Sequence, residues 1–232
     1  MDQAQQATDR PWEAVFSDEE REIYDVYRRP GKPELPWDSL ALLVVDVTNA
    51  FLGPRLPTLE AAREVRTACG LPAWQSLGPI RTLLDAFHHA GRPVIYTRAY
   101  SETQFGGATV GAAESGVGNE IADAIAPRGG DVVIEKARAN AFFGTPLASY
   151  LVREGIRGVV VAGGTTSGCV RATVLDASAL GFTVGIAHDA CFDRSMLSHN
   201  VALHELDVKY ATVLDATSIA NGLAGTAVRQ RA

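Results

Sequence analysis

Cysteine is scarce in this sequence, and its scarcity excludes a good deal. The 232 residues hold three cysteines, Cys69, Cys169 and Cys191, an odd number set far apart. That spacing fits neither a disulfide framework nor a zinc site, and it points to a reducing cytoplasm. Long apolar runs are missing too: the longest extend over about six residues, far short of a membrane span. The opening MDQAQQATDR has nothing of a secretory signal. Basic charge is in deficit, with a formal net charge of −6, which argues against a nucleic-acid or membrane partner. No internal repeat and no second domain can be discerned. What is present, 47% hydrophobic and 21% charged residues, is enough for one sizeable domain with a full core.

Residues 1–38 differ from the rest, being polar, aromatic-bearing and rich in proline. Ser17 and Glu20 form a capping box for a short helix over about Asp18 to Arg28. Pro30, Pro33 and Pro36 then impose an extended connector. Trp12, Phe16, Tyr24 and Tyr27 mark this arm for docking, on its own domain or on a neighbouring subunit.

Over residues 39–232, strand-length apolar runs alternate with segments of helical period. The strand candidates are Leu40–Val47, Pro93–Arg98, Asp131–Lys136, Gly158–Gly163, Thr183–His188 and Ala211–Leu214. They lack polar alternation, as parallel strands covered on both faces do. Between them, Ile80, Leu83, Leu84 and Phe87 make a one-sided helical stripe, and Leu147, Tyr150 and Leu151 make another behind Thr145, a candidate N-cap. Repeated strand–helix units predict an α/β fold, an open parallel sheet wound with right-handed crossovers. The glycine-rich stretch Ser101–Gly118 reads as a long loop of the kind that serves as a lid or substrate wall.

In such sheets the ligand crevice lies beyond the carboxyl ends of the strands. Those ends carry Asp46, Arg98, Lys136, Cys169, Asp189 and Arg194. Four of these have a plain structural alternative: Asp46 as a helix cap, Lys136 as a lysine with a solvated head, Cys169 as a small buried hydrophobe and Arg194 as a surface ion pair. The position of Cys169 favours chemistry. It follows "GGTTSG", where a buried strand turns through glycines into a helix, and a helix N-terminus favours thiolate over thiol. A neighbouring Lys136 would push the same way. Asp46 can accept the thiol proton, and the free N–H groups of the turn can receive an oxyanion. The same loop is no phosphate cradle, because neither G-x-x-x-x-G-K-[ST] nor G-x-G-x-x-G is present. The histidines offer no rival site: His88 and His89 point apart on a helix, His199 and His204 are off metal spacing, and His188 reads as a hydrogen-bonded core residue.

Three blocks in order, "LLVVDVTNAFL", "VIEKARANAFFGTPL" and "GGTTSGCVRATVLDASALGFTVGIAHDAC", resemble the isochorismatase-like cysteine hydrolases of the N-carbamoylsarcosine amidase and maleamate amidohydrolase type. The resemblance spans about Leu40 to Asp215. It implies a doubly wound six-stranded parallel sheet, an Asp46–Lys136–Cys169 triad and a cis peptide at Gly164–Thr165. It also implies an oxyanion hole from the backbone N–H groups of Thr165 and Cys169, and a homodimer or homotetramer. Arg194 falls where these enzymes place an arginine for a substrate carboxylate; Thr165, Thr166 and Arg98 are further substrate-binding candidates. "YTRAYSETQFGG" holds no histidine, unlike the metal site of nicotinamidases, so no metal and no cofactor is expected. The expected function is a cytoplasmic amidohydrolase that cleaves a linear amide or N-carbamoyl group of a small carboxylate-bearing substrate. The alternatives are another small C–N substrate, such as biuret, a ureidoacrylate-like compound or a neutral amide, and a non-catalytic small-molecule binder on the same fold.

Overall fold

The computed structural model describes residues 10–28, 34–99 and 117–229. In chain order, a turn of 3-10 helix (Pro11–Val15) and α1 (Asp18–Tyr27) form the arm. There follow β1 (Leu40–Val45), α2 (Asn49–Leu52), α3 (Thr58–Glu64), α4 (Leu71–His89), β2 (Val94–Ala99), β3 (Val132–Lys136), α5 (Leu147–Arg153) and β4 (Gly158–Gly164). A wide turn of π-helix (Thr166–Val170) leads into α6 (Arg171–Ala179), then β5 (Thr183–Phe192), α7 (Met196–Lys209), β6 (Thr212–Leu214) and α8 (Ala216–Arg229). The loop expected over Ser101–Gly118 falls almost wholly outside the described residues, as do Pro30 and Pro33.

All six strands pair in parallel, in the order β3-β2-β1-β4-β5-β6. The chain winds outward from β1 to β3, then returns to β4 beside β1 and winds out the other way. Each central strand must bury both faces, hence the unbroken apolar run Leu40–Val45, every residue of which is fully covered. Leu40, Leu42 and Val44 face α4 and α8, meeting Leu77, Ile80, Leu83, Phe87, Ile219 and Leu223. Ala41, Leu43 and Val45 face α5, α6 and α7, meeting Leu151, Val174 and Leu203. Covering each large side chain contributes about 1.5–3 kcal/mol, so the two layers hold the sheet rigid under the crevice.

Two strands depart from the sequence expectation, and β1 is the first: it ends at Val45 rather than Val47, because Asp46 turns left-handed. β5 continues four residues past His188, because its register against β4 shifts between Val161 and Gly163. In sequence the strand reads as ending at His188, with Asp189 just beyond it. In the structure Asp189 turns aside to accept the Ala216 N–H at 2.9 Å and caps α8, so it leaves the crevice shortlist. Thr145 is likewise one residue off the cap position, which Pro146 occupies, although its Oγ1 accepts the Leu147 N–H at 3.3 Å.

The arm docks on its own domain. Ser17 and Glu20 make the expected capping box. Trp12 is buried against His188, with ring centroids 5.1 Å apart, and Phe16 and Tyr24 enclose the His204 ring at 4.1 and 4.4 Å. Arg28 pairs with Asp207 of α7 and, at 2.8 Å, with Glu13. Among the described residues His188 packs against the Trp12 ring and makes no side-chain hydrogen bond, where the sequence reading expected one. Among the described residues no helix is long and apolar enough to cross a membrane.

Candidate active site

The strand order reverses between β1 and β4, and a doubly wound sheet opens its crevice at that reversal. Asp46 leaves the end of β1 and Cys169 sits on the turn after β4, so the two flank the opening. The strands touch there: Val45 is in register with Gly163, whose φ is +108°, and a Cβ on Gly163 would lie 2.1 Å from the Val45 carbonyl oxygen. Gly164 is equally constrained, since a Cβ there would lie 2.2 Å from the Phe192 ring. The Gly164–Thr165 peptide is cis, as the resemblance implied.

Asp46 adopts φ +52°, a left-handed conformation that aspartate tolerates better than most residues and that ends the strand. The turn aims its carboxylate sideways along the sheet. Oδ1 accepts the Thr97 hydroxyl of β2 at 2.9 Å, and Oδ2 accepts Lys136 Nζ at 2.6 Å. Lys136 ends β3, two strands from β1 and thus about 9–10 Å away, a gap that the four-carbon lysine stem can cross. Its ammonium also donates to the Arg138 carbonyl at 3.1 Å. Both side chains of the pair are 3% exposed, so Lys136 has no solvated head.

The Asp46 carboxylate and the Lys136 ammonium both act on the buried Cys169 thiol, so the three side chains share one site. Burial would pull the Lys136 ammonium down, but Asp46 and the Cys169 sulfur outweigh it and hold its pKa above the ordinary lysine value. The thiol goes the other way from the sequence expectation. Burial, reinforced by the Asp46 carboxylate, pushes Cys169 up to about 12, while Lys136 pulls it down. The resting nucleophile candidate is therefore a thiol beside a base, not a thiolate, because burial outweighs the helix terminus. Cys69 and Cys191 are buried as well, their thiols also raised, but among the described residues no lysine acts on either.

The turn carrying Cys169 is tethered at several points. The Gly168 and Val170 amides both donate to the Thr165 carbonyl, at 3.0 and 3.1 Å. Thr166 Oγ1 lies 3.1 Å from the Phe192 carbonyl and 2.7 Å from His199 Nδ1. A hydroxyl has one proton, so Thr166 donates it to the carbonyl and accepts the histidine N–H. Burial lowers the His199 pKa to about 4, which keeps the ring neutral. Asp193, just past β5, accepts both the Ser167 amide (2.8 Å) and the Ser167 hydroxyl (2.7 Å).

The sequence candidates divide. Asp46, Lys136 and Cys169 converge, with Thr165 and Thr166 on the turn itself. Arg194 lies at the same end of the sheet, after β5; it donates to the Thr67 carbonyl, and its guanidinium stands 5.6 Å from the centre of the Phe51 ring. Arg98 is bound to Glu135 at 2.7 Å and lines a groove of about 710 Å³ along β3 and α5 that none of the three converging residues borders. Thr97, Asp193 and His199 were missed by the sequence reading. The one signal for Thr97 was a polar residue among the buried residues of its strand, next to the charged Arg98.

A family model described as the isochorismatase domain matches residues 40–218. The chain belongs to the isochorismatase family. Among relatives in this family, a maleamate amidohydrolase of Pseudomonas putida is 32% identical over 75% of this chain and 82% of its own. An N-carbamoylsarcosine amidase of an Arthrobacter species is 32% identical over 77% of this chain and 69% of its own. The crystal structure of N-carbamoylsarcosine amidase from Thermoplasma acidophilum superposes with a TM-score of 0.58 at 29% identity, covering 77% of this chain and 96% of that one.

Proposed function

We propose that this chain hydrolyses a linear amide or N-carbamoyl C–N bond of a small carboxylate-bearing molecule by way of a thioester on Cys169. The observation that carries this reading is the buried, hydrogen-bonded Asp46–Lys136 pair acting on the Cys169 thiol at the sheet's switch point. The amidohydrolase relatives support a hydrolase acting on C–N bonds.

The thiol proton passes to Asp46 as sulfur attacks the carbonyl carbon. The backbone N–H groups of Thr165 and Cys169 receive the oxyanion, while those of Ser167, Gly168 and Val170 are committed elsewhere. Lys136 balances the charge as it moves from carboxylate to sulfur and back. The tetrahedral species collapses, the C–N bond breaks, and the departing nitrogen takes the proton from Asp46. Water then gives a proton to Asp46 and attacks the thioester; the sulfur leaves and recovers that proton. Arg194 holds the substrate carboxylate by a two-point hydrogen bond.

The test is ammonia release over matched amides with and without a carboxylate, beside mass spectrometry of rapidly quenched enzyme. An acyl adduct on Cys169 and loss of turnover in Cys169→Ala are expected. More than a few per cent of activity in that variant would overturn the covalent route. Turnover of neutral amides alone would favour the alternative C–N substrates.

A further inference from the structure

Asp193 is buried (5% exposed), and both of its oxygens are occupied by the site. Oδ2 takes the Ser167 amide and hydroxyl on the turn that carries Cys169. Oδ1 takes the Arg194 amide at 2.7 Å. The Arg194 side chain leans from there onto Thr67 and Phe51, in the segment that follows Asp46 and β1. Because Arg194 is the next residue along the chain, the Asp193–Ser167 bonds tie the nucleophile turn to the residue proposed to hold the far end of the substrate, and the Oδ1 bond fixes the direction in which Arg194 leaves.

We propose that Asp193 is a positioning residue that sets the distance between Cys169 and the Arg194 guanidinium, and so selects for a carboxylate placed at a fixed span from the scissile carbonyl. The proposal rests on the substrate reading given above. Its physical basis is that the carboxylate of the residue peptide-bonded to Arg194 grips the Ser167 turn with one oxygen and fixes the Arg194 amide with the other, through short charge-assisted bonds. Asparagine cannot replace it, because its NH2 group does not accept; the oxygen can serve the turn or Arg194, not both. Small displacements of a binding group relative to a nucleophile have large consequences for rate.

The experiment reads geometry without requiring turnover. Cys169 is alkylated with iodoacetamide at mildly alkaline pH, followed by mass spectrometry, and maleate is titrated in as a dicarboxylate that protects it. For Asp193→Asn the half-protecting maleate concentration should rise about tenfold, the equivalent of about 1.4 kcal/mol. Arg194→Ala should give a similar rise, and the double variant no further one, because both act through one contact. Without maleate, Asp193→Asn should alkylate within about twofold of wild type, since the Thr165 and Thr166 tethers remain. Ser167→Ala, which removes one donor to Asp193 and spares the carboxylate, should shift protection about two- to threefold in the same direction and covers the case in which Asp193→Asn fails to fold.

Unchanged protection in Asp193→Asn, or effects that multiply in the double variant, would overturn the proposal. So would faster alkylation that maleate no longer influences, which would make Asp193 a structural tie only. Unchanged protection in Arg194→Ala would remove the arginine reading and this proposal with it. The expected protection pattern in a protein that hydrolyses no amide would overturn the amidase reading alone.

Discussion

The Lys136 ammonium lies 2.6 Å from an Asp46 carboxylate oxygen, with both side chains almost entirely out of water and both acting on the Cys169 thiol. Two opposite charges buried together on strands that are not neighbours make each dependent on the other, and they control the proton on the sulfur.

Asp46→Asn should separate reactivity from turnover. The substitution removes a carboxylate that raises the thiol pKa and leaves the lysine that lowers it, so the Cys169 pKa falls. Iodoacetamide labelling of Cys169 near pH 8 should therefore speed up, while kcat falls by roughly 10²–10⁴ with the base gone. Slower labelling together with normal kcat would remove Asp46 from both roles.

Lys136→Met should destabilise the fold by about 3–5 kcal/mol, because Asp46 is left as an uncompensated buried charge. Adding Asp46→Asn to that variant should recover much of the loss, though no activity. Urea denaturation of the two variants beside wild type measures both numbers. A full additive loss in the double variant would mean that the pair does not act as a unit.

Arg194→Ala should lower kcat/KM on acid-bearing amides about 10²-fold or more, since breaking a desolvated charge pair costs on the order of 2–5 kcal/mol. Matched neutral amides should lose little. Arg194→Lys should recover only part, because an ammonium lacks the planar two-point fork and would not lie over Phe51 in the same way. Equal losses on both substrate classes would contradict a carboxylate-reading role.

His199 should make the fold sensitive to mild acid. Its folded pKa is about 4, against about 6.5 in the unfolded chain. Between these values the unfolded state takes up a proton that the native ring refuses. The contribution is thus fully present above about pH 6.5 and declines as pH falls toward 4, by on the order of 3 kcal/mol. His188, lowered in the same direction by burial, adds to the trend. Denaturation midpoints for wild type and His199→Gln across this range should converge as the pH drops. Parallel curves would show that His199 is not the titrating group.

The winding of the chain was legible where burial leaves a mark on composition. Leu40–Val47 and Gly158–Gly163 read as strands covered on both faces, and in the structure they form the two central strands. The rule that crevices open at strand ends then placed Asp46, Lys136 and Cys169 on a list of six. The same rule also nominated Arg98 and Asp189, and local pattern had no means of separating them. Asp189 is taken by the α8 amide and Arg98 by Glu135, contacts made between segments far apart in the chain.

By itself, then, the sequence determined the alternation of strand and helix, the glycines that let β4 press against β1, and the chemical types at the crevice. These follow from covalent chemistry and from the period of apolar residues, which are local. The tertiary structure decided which side chains share a hydrogen bond and what charge they carry. The order β3-β2-β1 is what lets a lysine on β3 reach over β2 to an aspartate after β1. The depth of that meeting, not the helix terminus beside it, keeps Cys169 a thiol, because desolvation is a property of everything packed around a group and no neighbour in the sequence records it.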